Sequence, residues 1–426
     1  MAAIHFLQNF NMAVFIFLTV LYLYQFGYMI VGLLRKDPKQ KYKAKKQHKY
    51  AAIICARNER AVIGDLVACL KKQKYPKDLL DVFVLADNCT DDTAQVARDA
   101  GAVVYTRHNT QLVGKSWALD EVFHHIWKDF PTAGYEAYMI FDADNLVDPN
   151  FVAAMNNVYD QGFRVITSYR NSKNYGTNWI TAGYALWFLR EARFLNQPRM
   201  TLNTNCAISG TGFLIADSIL RANDGWAYHL LTEDIEFSIA CAAKGEPIGY
   251  CRDAVIYDEQ PTQFSQSWRQ RLRWSKGFFQ VVKNYTTDLM AGIVSGEHKS
   301  FSCYDMLMTI APCTLLTLFC AVTNLTFLVS SVMLPVYITY RVIHLSVYFI
   351  CMALVNFYLA LFGCGLLTTI VEWKHIHTEW YRKILYLFTF PLFQYTYIPI
   401  TIAALFSKKV EWKPIVHSVA ASKAQI

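Results

Sequence analysis

Hydrophobic positions fall along this chain in two rhythms. From Tyr50 to about Gln260, apolar runs of strand length alternate with stretches of helical period, whereas outside that window the apolar runs are long and nearly unbroken. Residues 51–55, 80–86, 102–105 and 137–141 predict strands, and residues 59–73, 91–100 and 114–128 predict helices. Units of this length build an α/β fold, a mostly parallel sheet with helices on both faces. Ligands of such sheets sit outside the carboxyl ends of the strands. Asn58, Asp87 and Asp142 all stand at or just beyond a strand end, so a common pocket is expected there.

The long runs carry a different message. Asn11 to Leu34 gives about 24 residues where a membrane crossing needs roughly 20. It lacks the short apolar core and cleavage site of a signal peptide, so a retained anchor is expected. Met306–Leu334 and Leu345–Val371 are also long enough to cross. A third run, Ile384–Phe406, contains Pro391 and Pro399 and has basic segments on both sides, residues 374–383 and 407–413. One crossing cannot leave both basic flanks in the cytoplasm, so either the prolines break the run into a re-entrant or interfacial hairpin, the preferred expectation, or the C-terminus lies outside. The basic run 35–49 after the first anchor places that side in the cytoplasm and suits anionic lipid rather than nucleic acid. The division that results is an anchor over residues 1–35, a cytoplasmic α/β domain over 36–260 and interfacial helices over 261–300. A transmembrane region over 301–407 and a cytoplasmic tail over 408–426 complete it.

Composition agrees with a membrane protein: 54% of the 426 residues are hydrophobic and only 17% charged, with a net charge of +8. The eleven cysteines show no paired metal spacing and read as small buried hydrophobes. A transporter or scaffold would carry charge inside its spans. Met306–Leu334 has none, and the acids cluster in the α/β part. An enzyme at the membrane is the better reading.

Three clusters carry candidate chemistry. Asp142 and Asp144, one residue apart at a strand end, are hard oxygen ligands suited to Mg2+ or Mn2+ shared with phosphates, although a solvated turn would use the same residues. Asp234, in Thr232-Glu233-Asp234, opens a helix, where Thr232 can cap and the acids suit the dipole; the functional reading is a general base. Gln270, Arg273 and Trp274 lie in a basic, aromatic helix that suits a membrane interface, a diphosphate, or both. The aromatic stripe Trp179, Tyr184, Trp187 and Phe188, with Arg190 and Arg193, reads as an interfacial helix, with the lining of a sugar channel as the alternative.

Together the islands Asp87-Asn88, Asp142-Ala143-Asp144, Thr232-Glu233-Asp234 and Gln270-Arg271-Leu272-Arg273-Trp274 resemble family 2 glycosyltransferases, in particular the membrane-embedded cellulose, chitin and hyaluronan synthases. The resemblance covers roughly residues 50–285 and implies a glycosyltransferase-A-like fold. It implies that Ala56, Arg57, Glu59, Asp87, Lys115, Asp142, Gln270 and Arg273 bind the nucleotide sugar, and that Asp144, with Asp142, binds Mg2+ or Mn2+. Asp234 would be the catalytic base. Trp274, Ser209, Gly210, Thr211, Gly212 and Glu233 would line the acceptor site. The gating sequences of these synthases are absent, but Trp412 and Lys413 follow the last apolar run in a comparable place and are candidate gating residues. The implied activity is inverting transfer from a UDP-sugar to a growing β-linked polysaccharide, with transfer of one sugar to a lipid as the alternative. Membrane lipids are expected partners, and a homo-oligomer would widen a lean membrane region.

Overall fold

The computed structural model describes residues 2–34, 42–310, 312–333 and 335–407. An apolar helix, α1 (Ala2–Leu34), leads into the sheet strands and their covering helices. In chain order these are β1 (Tyr50–Ala56), α2 (Ile63–Lys71), β2 (Leu80–Asp87), α3 (Thr93–Asp99), β3 (Val103–Arg107), α4 (Lys115–Asp129), β4 (Ala137–Asp142), β5 (Leu146–Val147) and α5 (Phe151–Tyr159). Next come β6 (Val165–Ser172), α6 (Trp179–Glu191) and α7 (Gln197–Thr201), the last two joined by a π-helical turn, Ala192–Asn196. They are followed by β7 (Phe213–Ala216), α8 (Asp217–Ala222), α9 (Glu233–Lys244) and β8 (Ile248–Asp258). Among the described residues six helices follow the last strand, of which the first two are α10 (Phe264–Val294) and α11 (Ser300–Ile310). The others named here are α12 (Pro312–Ser331), α13 (Val336–Val371), α14 (Trp380–Tyr395) and α15 (Tyr397–Phe406).

The eight strands form one sheet in the order β3-β2-β1-β4-β7-β6-β8-β5. β3, β2, β1 and β4 run parallel; β7 is antiparallel to both β4 and β6, β6 and β8 are parallel, and β5 is antiparallel to β8. The sheet is therefore mixed, and the sequence expectation of a mostly parallel one holds for the first half. Alternation along β1 explains the two-sided core. Ala51 and Ile53 pack with Phe83, Leu119 and Phe123 on the α4 face, while Ala52 and Ile54 pack with Val82, Leu66 and Met155 on the other. The chain runs outward from β1 through β2 to β3, then returns to the far side of β1 as β4. The crossovers diverge there, opening a crevice at the carboxyl ends of β1, β2 and β4.

Among the described residues, three segments are long and apolar enough to cross a membrane: Ile4–Leu34, Val336–Val371 and Trp380–Phe406. α1 and α13 expose most of their apolar side chains, as helices facing lipid would, and bury only a few, such as Leu7, Tyr28 and Val342. The expected span Met306–Leu334 is instead split, its first residues belonging to α11 under the sheet domain and residues 312–331 to the 20-residue α12. A buried ion pair ties α11 to the sheet domain. Arg199 Nε and Nη2 donate to Asp305 Oδ2 and Oδ1 at 2.7 and 2.9 Å, and the hydroxyls of Tyr24 and Tyr28 on α1 donate to the same carboxylate.

The expected hairpin at residues 384–406 does not form. Thr396, between α14 and α15, has αR dihedrals (φ −64°, ψ −14°), so the chain continues forward. Pro399 sits in the first turn of α15, where a missing N–H costs little. The segment is instead docked along its length, on the α/β domain at one end and on α10 at the other. Arg382 Nη1 donates to Gly176 O at 2.6 Å, Arg271 Nη1 to Phe393 O at 3.2 Å and Lys276 Nζ to Ala404 O at 3.3 Å. The segment therefore runs forward without a chain reversal; the basic residues of its second flank, 408–413, lie outside the described residues.

Candidate active site

The β1 end is fixed first. Asn58 adopts a left-handed backbone (φ 58°), which Asn tolerates better than most residues, and its Oδ1 accepts from Thr90 N at 2.7 Å. Glu59 N donates to Thr93 Oγ1 at 2.8 Å. These bonds tie the Ala56–Glu59 loop to the loop after β2 and leave Ala56, Arg57 and Glu59 lining the crevice. Asp87, the last residue of β2, is buried and accepts from Arg107 Nη1 at 2.7 Å across the β2–β3 register. Burial pushes its carboxyl up, against the pull of Arg107. Arg107 is fully committed: its Nε donates to Glu121 at 2.7 Å and its Nη2 to Leu112 O at 2.6 Å.

At the end of β4, Asp142 N donates to Thr211 Oγ1 at 2.8 Å and to Asn145 Oδ1 at 3.2 Å. Lys115, opening α4 after Gly114, pairs with the Asp142 carboxylate and donates to Gly210 O at 2.8 Å. Asp144 is buried, and its Oδ2 accepts from Glu259 N at 2.9 Å. Beside it stands Asp258, the last residue of β8, gripped by Arg170 Nε at 2.9 Å and by Asn145 Nδ2 at 3.1 Å. Burial pushes the Asp258 carboxyl up to about 6, with Arg170 opposing and Asp144 reinforcing. Among the described residues no three His, Cys, Asp or Glu side chains converge as a self-sufficient metal cage. Two aspartates at one strand end fit an ion of the Mg2+ type, which takes its remaining ligands from phosphate and water.

Asp234 lies in the first turn of α9. Thr232 occupies the N-cap, but its side chain makes no capping bond, so capping does not account for this motif. Removal from water and the adjacent Glu233 push the Asp234 carboxyl up to about 7, although Lys115 and the helix amides pull the other way. The loop Ser209–Phe213 passes beneath it. Gly210 has φ 86°, and a Cβ there would come within 3.5 Å of Asp234 Oδ2; at Gly212 (φ 63°) it would lie 2.5 Å from Ser168 Oγ. Both glycines hold a left-handed backbone, and at Gly212 a side chain would also collide with Ser168 on β6.

α10 closes the crevice from below. Gln270, Arg273 and Trp274 line it, while Arg271 points away and is buried against Phe393 and Tyr397. Trp274 packs edge-on against Tyr184 and Phe188 at 5.8 and 6.5 Å between centroids. Phe188 in turn carries the Arg170 guanidinium, 3.8 Å above its ring.

The crevice, about 860 Å³, is lined by Ala56, Arg57, Glu59, Asp87, Lys115, Asp142, Asp144, Ser209, Gly210, Glu233, Asp234, Gln270, Arg273 and Trp274. Thr211 and Gly212 lie behind this wall, as supports. Trp412 and Lys413 fall outside the described residues. Sequence reasoning missed Arg107, Arg170 and Asp258, whose signal was a charge ending or interrupting an apolar strand. It also placed the α6 aromatics at a membrane interface, whereas Tyr184 is buried and Trp187 and Phe188 line the crevice.

The fold is shared with the mannosyltransferase PcManGT from Pyrobaculum calidifontis, solved with GDP-Man and Mn2+ (16% identity, TM-score 0.54, 96% of this chain and 99% of that one). By sequence, a probable glycosyltransferase, YdaM, of Bacillus subtilis is 27% identical over 266 residues, covering 59% of this chain and 60% of YdaM. The beta-monoglucosyldiacylglycerol synthase of a Nostoc species is 26% identical over 268 residues, 60% of this chain and 53% of that one. The poly-beta-1,6-N-acetyl-D-glucosamine synthase of Staphylococcus epidermidis is 24% identical over 243 residues, 54% of each chain. The chain thus spans between about half and three-fifths of the length of these curated relatives. Residues 48–277, more than half of the sequence, match the family model described as glycosyltransferase-like family 2, and the chain belongs to that family.

Proposed function

We propose that this enzyme moves a sugar from a UDP-sugar to a hydroxyl of a β-linked polysaccharide growing at the cytoplasmic face of a membrane, with inversion at the anomeric carbon. The observation that carries the reading is one crevice lined at once by Asp87, Asp144, Asp234 and Trp274 and by residues of the apolar helices α11, α14 and α15. The uracil sits at the Asp87 end, where Arg107 keeps one carboxylate oxygen occupied and leaves the other to a base N–H. Asp144, with Asp142, would hold Mg2+ or Mn2+, which neutralises charge on the diphosphate when bound. Arg273 adds a guanidinium suited to the same oxyanions and so eases departure of UDP. Lys115 holds Asp142 and the Gly210 carbonyl in place.

Asp234 accepts the proton of the acceptor hydroxyl as that oxygen attacks the anomeric carbon. The C–O bond to UDP breaks as the new glycosidic bond forms, so an α-linked donor gives a β-linked product. A carboxylate raised to about 7 is matched to that task better than an ordinary aspartate. Trp274 offers a flat apolar surface for the acceptor ring, held upright by Tyr184 and Phe188.

A second reading, transfer of one sugar to a lipid hydroxyl, is favoured by the small number of crossing helices and by the likeness to the diacylglycerol glucosyltransferases. Product size separates the two. Membranes containing the protein, supplied with labelled UDP-sugars, should yield a ladder or high polymer. A single extractable glycolipid would replace the first reading with the second.

A further inference from the structure

The loop Ser209–Gly212, which passes beneath Asp234, is pinned residue by residue, and two of its pins lead to one buried carboxylate. At its entry, Ser238 Oγ on α9 accepts from Ile208 N at 3.0 Å and donates to Asp234 O at 2.8 Å. The Ser209 carbonyl accepts from Arg170 Nη1 at 2.5 Å, and the Gly210 carbonyl from Lys115 Nζ at 2.8 Å. The Thr211 hydroxyl donates to Asn145 Oδ1 while accepting from Asp142 N at 2.8 Å, and Gly212 N donates to Ile140 O at 2.8 Å. Arg170 and Asn145 share a further partner. Arg170 Nε and Nη2 both donate to Asp258 Oδ2, the first at 2.9 Å, and Asn145 Nδ2 donates to Asp258 Oδ1 at 3.1 Å. Asp258 thus holds Ser209 through one arm and Thr211 through the other. Between them lies Gly210, the residue that faces the Asp234 carboxylate.

An irregularity in the sheet makes this clamp. β6 and β8 pair in parallel with Ser168 opposite Cys251, and the register then jumps, so that Tyr169 faces Val255 and Arg170 faces Ile256. In an unbroken ladder Arg170 would lie opposite Asp253, which is exposed. Such a bulge re-aims side chains, and here it carries Asp258 to the rim of the crevice. Gln260 Nε2 adds another donor, 2.8 Å from Asp258 Oδ2. With the two Arg170 nitrogens and Asn145, these donors fill the roughly four lone-pair sites of a carboxylate, which leaves Asp258 an internal anchor rather than a ligand for substrate. The Phe188 ring, 3.8 Å from the guanidinium carbon, backs the face of Arg170. Stability does not account for the pair, because a buried ion pair does no better than apolar side chains of similar volume.

Resting on the function proposed above, we infer that Arg170 and Asp258, with Asn145, are positioning residues for proton transfer at Asp234. They act through the Ser209–Gly212 loop, fixing it so that the Gly210 backbone walls one side of the Asp234 carboxylate and keeps it aimed at one point of the crevice. A misplacement of about 1 Å in such a wall can cost on the order of 10²-fold in rate. The nucleotide end, built on the loops after β1 and β2, is left as it was.

The test uses the full-length protein in lipid nanodiscs with the UDP-sugar it consumes fastest. Wild type is compared with Arg170→Lys, whose single ammonium cannot span Asp258 and Ser209 as the guanidinium fork does. Thr211→Val cuts the other arm, and Thr211→Ser, which keeps the hydroxyl, is the conservative control. The readouts are kcat, the KM for the UDP-sugar, UDP affinity by calorimetry in Mn2+, and hydrogen exchange of the peptide carrying residues 208–213. In Arg170→Lys and Thr211→Val, kcat should fall at least tenfold and the loop amides exchange at least tenfold faster, while UDP affinity stays within twofold. Thr211→Ser should match wild type within twofold throughout. Unchanged kcat and exchange in both variants overturn the clamp. Loss of UDP affinity in step with kcat, at unchanged loop exchange, overturns it too and makes Arg170 a donor ligand. If Arg170→Lys does not fold, the contrast between Thr211→Val and Thr211→Ser decides. A wild type that binds UDP but releases none from any UDP-sugar overturns the proposed function itself, a different result from failure of the clamp.

Discussion

Replacing Asp234 with Asn keeps the shape of the side chain and removes its capacity to take a proton. Loss of a general base slows transfer by about 10²–10⁴, or roughly 3–5 kcal/mol of barrier. The acidity of the group supplies a second, independent signature. With its carboxyl at about 7, the wild type has only about a tenth of its molecules in the basic form at pH 6 and about a hundredth at pH 5. In a coupled assay for UDP release, kcat/KM should therefore climb about tenfold per pH unit on the acid side and level off above pH 8. The stability sign runs the other way. A carboxyl held above its unfolded value favours the fold while protonated, and that advantage is lost as pH rises from about 4 through 7. Asp234→Asn should then raise Tm by an amount that grows from pH 5 to pH 8. A flat kcat/KM across pH 5–8, or an Asn variant within tenfold of wild type, would refute the reasoning.

Other changes have distinct outcomes. Arg107→Ala strands the buried Asp87 carboxyl, costing about 3–5 kcal/mol of stability. It should lower UDP affinity at least tenfold, measured by calorimetry alongside a thermal melt. Asp144→Ala should raise the Mn2+ or Mg2+ concentration that supports half-maximal turnover by more than tenfold, while EDTA should abolish wild-type activity and added metal restore it. Because α14 is docked on the α/β domain and α15 on α10, a cysteine introduced at Lys413 should react with an impermeant thiol reagent only from the cytoplasmic side. Labelling from outside would remove Trp412 and Lys413 as gating candidates and make α14–α15 a crossing segment.

Much of this was legible in the residues. The strands β1, β2 and β4 match the apolar runs closely because each is buried on both faces, which leaves a run bounded by polar residues. The four motif islands converge because three follow strand ends or loops at one rim of the sheet and the fourth rides on the helix beneath. What was hidden depended on partners distant in sequence. Nothing near Arg170 announces Asp258, 88 residues away. The α6 aromatics could be read as interfacial because an amphipathic stripe looks alike whether it meets lipid or another helix; Gly183 under Phe393 is what decided it. The hairpin expectation failed for a similar reason. Counting basic flanks assumed that an apolar run must cross or turn back, and did not allow for one lying against its own domain. Asp234 is the reverse case, where capping explained the sequence and only its burial beside Glu233 and Gly210 set it apart.

The claim on which the rest depends is a single in-line displacement driven by one carboxylate base in this crevice. The anomeric configuration of the first product formed from a UDP-α-sugar tests it most directly, read from the one-bond carbon–proton coupling of the transferred residue. The account expects a β-linkage, lost in the Asp234→Asn variant; an α-linkage would contradict it, because retention needs a second nucleophile that this mechanism does not provide.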